Sequence, residues 1–142
     1  MKAVVTIIAV RGIMTTLALL LVALLFGGSV LYSFGFAAAL FSTLPADQAG
    51  STLRRVFPHF YLFVIVTAAL GAALLWVANP VSAMLLATIA VSTVPARQVL
   101  MPAINAATDA GNKSRFKKLH GLSVLVTLVH IALAAWVLAR FV

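Results

Sequence analysis

Hydrophobic and polar positions along this chain fall into long blocks. Ile13 to Thr43 is an unbroken uncharged run of 31 residues, whereas a helix needs about 20 to cross the hydrocarbon core of a bilayer. The surplus predicts a first span, residues 13–43, that tilts or extends beyond the hydrocarbon. Further apolar blocks predict spans over 57–78, 81–100 and 119–141. Only Asn79-Pro80 separates the second block from the third, a tight uncharged turn that makes those spans an antiparallel hairpin. Polar residues gather in 44–56 and 101–118, which read as basic loops, with a short surface helix plausible in the first. Lys2–Val10 is apolar and β-branched, is cut off by Arg11-Gly12, and either extends the first span or lies along the interface. It lacks the cleavage motif of a signal peptide and reads as retained. The expected fold is a single-domain, all-α integral membrane protein over residues 1–142: four transmembrane helices in an antiparallel bundle with short loops.

Composition strengthens that reading. The chain is 64% hydrophobic and 8% charged, with a mean hydropathy of +1.19. A soluble domain carries roughly 25% charged residues to face water, so most of this surface must face lipid. The net charge of +8 comes without the interleaved aromatics or folded basic module of a nucleic-acid binder. Arg54, Arg55, Lys113, Arg115, Lys117 and Lys118 instead read as residues that meet anionic headgroups and set topology. With Arg97 they put seven cations on the loop side against Lys2, Arg11 and Arg140 on the terminal side. The imbalance predicts cytoplasmic loops and external termini, in an inner or plasma membrane. Without cysteine the chain has no disulfide, thiolate nucleophile or Cys-ligated metal.

Within the spans, small residues mark packing faces. Gly28, Tyr32, Gly35, Ala39 and Ser42 share one face of the first helix, and Gly71 lies four residues from Thr67 on the second. Gly28, Gly35 and Gly71 are therefore the expected points of close helix approach. Pro58 is expected in the first turn of its helix. Phe57, Phe60 and Tyr61 are expected as an interfacial aromatic belt, with Trp76 at the other interface. Thr88, Ser92 and Pro95 share a face, and Pro95 should kink the third span or free a carbonyl.

Candidate chemistry concentrates on the last helix. His120, Ser123, Thr127 and His130 recur at helical spacing and form one polar stripe on an aliphatic rod. A polar stripe at membrane depth must face other helices or water. Ser and Thr there serve chiefly as interhelical hydrogen bonders, while histidine titrates near neutrality and suits a proton relay. His59 and His120 each open a span at the same interface, a placement that allows them to hold a haem iron or a metal on two helices or simply to bond carbonyls and headgroups. His130 lies about 15 Å deeper than His120, so those two cannot share one metal. Asp47 and Asp109 are the only acids, which leaves no paired carboxylates, nucleophile triad, phosphate loop or HExxH motif.

The segments LFSTLPADQAG…RRVFPHFY, MPAINAATDAG and FKKLHGLSVLV resemble the transmembrane-protein-205-like family, small four-helix membrane proteins with a domain of unknown function. The matching positions are Gly27-Gly28, Phe41/Leu44/Pro45, Ala49/Gly50, Phe57/Pro58/Tyr61, Pro102/Asn105 and Phe116/Leu119/His120/Ser123. The resemblance implies four spans and no particular reaction. The expected role is a non-enzymatic membrane component without a cofactor, either an accessory subunit of a larger complex or a homo-oligomer. The alternatives are a haem- or quinone-associated redox subunit using His59 and His120, and a small transporter or proton path along the His120–His130 stripe.

Overall fold

A computed structural model describes residues 2–141. Four helices span α1 Lys2–Thr43, α2 Ala46–Leu75, α3 Pro80–Asp109 and α4 Lys113–Ala139. All four are long and apolar enough to cross a membrane. In hydrocarbon every backbone N–H and C=O must be satisfied within the protein, and a continuous helix does that with its own ladder. The helices pack antiparallel in cyclic order, α1 on α2, α2 on α3, α3 on α4 and α4 on α1. Ala18, Val22, Leu25, Val64, Ala68, Leu86, Ile89, Ala134 and Val137 fill the core between them.

The connections are shorter than the polar blocks suggest. α1 ends where Pro45 holds Leu44 extended, at φ −119° and ψ 151°. α2 starts directly afterwards, so residues 46–56 are helical turns and not a loop, with Asp47 in the first turn, where a carboxylate meets the positive end of the helix dipole. Pro58 consequently lies well inside α2 rather than at its start. The α2–α3 hairpin closes as expected: the Asn79 side chain accepts from the Ser82 N–H at 3.2 Å, and Pro80 occupies the first helical turn.

α3 continues to Asp109, so the second polar block is also mostly helix. Its exit is a Schellman turn: Asn112 N–H donates to Ala107 O at 2.9 Å and Gly111 N–H to Thr108 O at 3.0 Å. Gly111 adopts φ +64° there, a left-handed conformation that strains any residue with a Cβ. The Asn112 side chain then caps α4 by accepting from Arg115 N–H at 2.9 Å. Lys113, Arg115, Lys117 and Lys118 are thus exposed on the first turns of α4, not in a loop.

Two stretches widen into π-helix, Leu31–Phe36 in α1 and Ala96–Leu100 in α3. The second sits between Pro95 and Pro102. Pro102 has no N–H to donate and its ring would crowd the carbonyl one turn back. One wider turn, in which Met101 N–H bonds Ala96 O, relieves that conflict. The disturbance expected at Pro95 is therefore a π segment following it. Lys2–Val10 continues α1 without a break, and every residue from Lys2 to Leu17 is exposed.

Candidate functional site

The inward face of α4 makes polar contacts to both α2 and α3. Ser123, Thr127 and His130 are half-buried and recur every three or four residues, so they point to the same side. Ser123 Oγ lies 3.3 Å from the hydroxyl of Tyr61 on α2. His130 Nε2 lies 2.8 Å from Ser92 Oγ on α3. Ser92 in turn donates its proton to Thr88 O at 2.6 Å, so its oxygen accepts from His130 and the imidazole carries its proton on Nε2.

Between these contacts lies a small cavity lined by Ser29, Tyr61, Thr93, Thr127 and His130 among apolar neighbours. Its 10 Å³ of space for a water centre matches roughly one molecule. Thr93 bonds back to Ile89 O at 2.6 Å. Ser29 is only 4% exposed, and neither its hydroxyl nor that of Thr127 has a partner among the described residues. All four helices therefore bring a polar group to one point, α1 through Ser29, α2 through Tyr61, α3 through Ser92 and Thr93, and α4 through Thr127 and His130. This arrangement suits a bridging water and a short hydrogen-bonded chain. It has no room for a larger solute.

His120 does not join that node. It is exposed and stacks on Phe116 of its own helix, with ring centroids 5.3 Å apart and 5° between planes. His59 is exposed too, with Nδ1 3.2 Å from Arg55 O one turn back. Each of these histidines is held by its own helix, and no group of three metal-ligating side chains forms among the described residues.

The glycines separate into two kinds. A Cβ on Gly28 would stand 2.8 Å from the Phe63 ring, and one on Gly71 would stand 3.1 Å from Leu86 and 3.9 Å from Val22. These two sit where helices meet. A Cβ on Gly35 would meet only Leu31 of the same helix, at 3.0 Å, inside the π segment. Phe60 and Tyr61, expected in an exposed belt, are 7% and 6% exposed. Tyr32 lies flat on Phe60, with centroids 4.1 Å apart and 2° between planes, and meets Phe57 edge-on. Cross-helix stacking on Tyr32 draws Phe60 inward, and Tyr61 turns in toward Ser123 of α4.

At the basic end, Arg54 Nη1 contacts Asp109 Oδ1 at 2.6 Å and ties α2 to the end of α3. The pair is largely solvated, with side chains 36% and 65% exposed, so it contributes little stability. Arg97 Nε donates to Pro58 O at 3.3 Å. Arg55 and the α4 cations remain exposed.

Ser29, Tyr61, Ser92 and Thr93 are the node members that the polar stripe alone did not reveal. The spacing of Thr88 and Ser92 was a partial signal, because it marked one polar face on α3. Tyr61 looked interfacial from its neighbours, and Ser29 belonged to no polar pattern along the first helix.

Comparison with known proteins gives one match. A family model described as a domain of unknown function (DUF4149) covers residues 20–113. No curated protein and no solved structure matches the chain. The matched stretch takes in α1 from residue 20 and all of α2 and α3, and includes Ser29, Tyr61, Ser92 and Thr93, but ends before Thr127 and His130. The chain belongs to the DUF4149 family.

Proposed function

We propose that this DUF4149 member is a non-enzymatic subunit of a membrane assembly and that it docks through the first turns of α1. The observation that carries this reading is the arm before Ala18. α1 has 42 residues, about 63 Å at 1.5 Å per residue, against a hydrocarbon layer of about 30 Å. Val22 lies near Gly71, so antiparallel packing carries residues before Ala18 past the α2–α3 turn. That arm exposes Val4, Val5, Ile7, Ile8 and Ile13, each more than half. Tilt alone does not shorten 63 Å to 30 Å. Apolar side chains crowded beyond the hydrocarbon call for a protein partner, either a second copy or a larger complex.

The motifs around Pro45, Pro58, Pro102 and His120 support placing this member among the transmembrane-protein-205-like proteins. The seven-to-three division of cations supports a cytoplasmic basic end and external termini. The test is mass measurement in mild detergent, by native mass spectrometry and light scattering, on wild type and on Ile8→Asn. Wild type should run as a complex, and Ile8→Asn should release the single chain with its helicity intact. A wild type that stays strictly monomeric and carries no other protein defeats the proposal.

A further inference from the structure

Among the described residues Arg97 has no counter-charge. It sits half-buried in the π segment of α3, and one edge of its guanidinium is spent on Pro58 O. The two terminal nitrogens and their four N–H donors make no bond among the described residues. The chain has only two acids, Asp47 and Asp109. Asp109 is taken by Arg54, and Asp47 lies about 16 Å up α2 from Pro58 at 1.5 Å per residue. No carboxylate reaches Arg97 among the described residues.

Depth makes this consequential. Arg97 lies about 26 Å along α3 from the hairpin turn, just inside the far boundary of a hydrocarbon layer of about 30 Å. Arg54 and Arg55 stand farther out, about 32 Å from the Trp76 end of α2. A partly desolvated guanidinium at the membrane edge is costly until an anion meets it. The anion native to that depth is a lipid phosphate. The Nε bond to Pro58 fixes the plane of the fork, so the terminal N–H groups are set for two oxygens at once. Exposed Val94 lies one turn before Arg97 on the same side of α3 and offers acyl chains an apolar surface. The cations farther out enrich anionic lipid nearby.

We propose that Arg97 is the centre of a binding site for the phosphate of one anionic phospholipid. The test uses the full chain from mild detergent and in nanodiscs. In native mass spectrometry with phosphatidylglycerol, wild type should keep one lipid under activation that strips the others, and Arg97→Gln should lower that retention at least tenfold. Arg140→Gln, which removes an exposed cation on the opposite face, should leave it within twofold. Arg97→Lys keeps the charge and removes the fork, so retention should fall severalfold. That variant also decides the matter if Arg97→Gln does not fold. In nanodiscs, phosphatidylglycerol should raise the melting temperature above that in phosphatidylcholine for wild type but not for Arg97→Gln, and millimolar inorganic phosphate should not substitute. Unchanged lipid retention in Arg97→Gln or Arg97→Lys, absence of a retained lipid in wild type, or equal stabilisation by inorganic phosphate would each overturn the proposal.

Discussion

The hydroxyl of Ser92 has one proton and three neighbours, of which Thr88 O and Ile89 O can only accept. The proton goes to Thr88 O within α3, leaving a lone pair for the Nε2–H of His130 on α4. The bond joins two helices where water is scarce, yet its strength is modest, because chains unfolded within a membrane also find polar partners. Interhelical bonds of this kind average about 0.6 kcal/mol and reach about 1.7. A double-mutant cycle of Ser92→Ala and His130→Leu, measured by unfolding in mixed micelles, should give a coupling in that range. Zero coupling would remove the bond from the account. The spacing of Ser123, Thr127 and His130 made this face legible from sequence, because period alone places them together. It also grouped His120 with them, and the structure leaves that imidazole exposed. At the first turns of α4 the facing surface is different, and Phe116 one turn away holds the imidazole outside. Partner identity depends on the register between helices, which no local pattern records.

At the scale of the helices, boundaries set by backbone chemistry were legible and boundaries inferred from polarity were not. Pro45 and Asn79-Pro80 mark real breaks, since one restricts the residue before it and the other caps the helix after it. The charged stretches 46–56 and 101–109 read as loops but are helical. Charge shows only that a segment has left the hydrocarbon, and a helix is free to continue into the headgroup layer. The true break after α3 depends on Gly111. Replacing it with alanine keeps the Schellman bonds but forces a Cβ into φ +64°, at a cost of about 1 kcal/mol. Gly111→Ala should therefore unfold earlier in the same assay and keep wild-type helicity by circular dichroism. A neutral effect would mean that the turn does not hold this geometry.

For the whole molecule, four antiparallel helices put both ends of the chain and the α2–α3 turn on one face, and the dense cations on the other. The basic face holds Arg54, Arg55, Arg97 and the four cations of α4, while the opposite face holds Lys2, Arg11 and Arg140. In the proposed topology the richer face lies on the cytoplasmic side, where anionic lipids would supply the ligand proposed for Arg97. Because the native chain has no cysteine, single-cysteine variants report topology without background. Ala78 in the hairpin turn and Ser114 at the start of α4 are both exposed, and they stand on opposite faces. Ala78→Cys should react with a membrane-impermeant maleimide on intact cells, and Ser114→Cys only after permeabilisation. The reverse pattern would invert the molecule, put the lipid site in the outer leaflet and turn the α1 arm toward cytoplasmic partners. This one measurement therefore fixes the compartment in which partners for both ends must be sought.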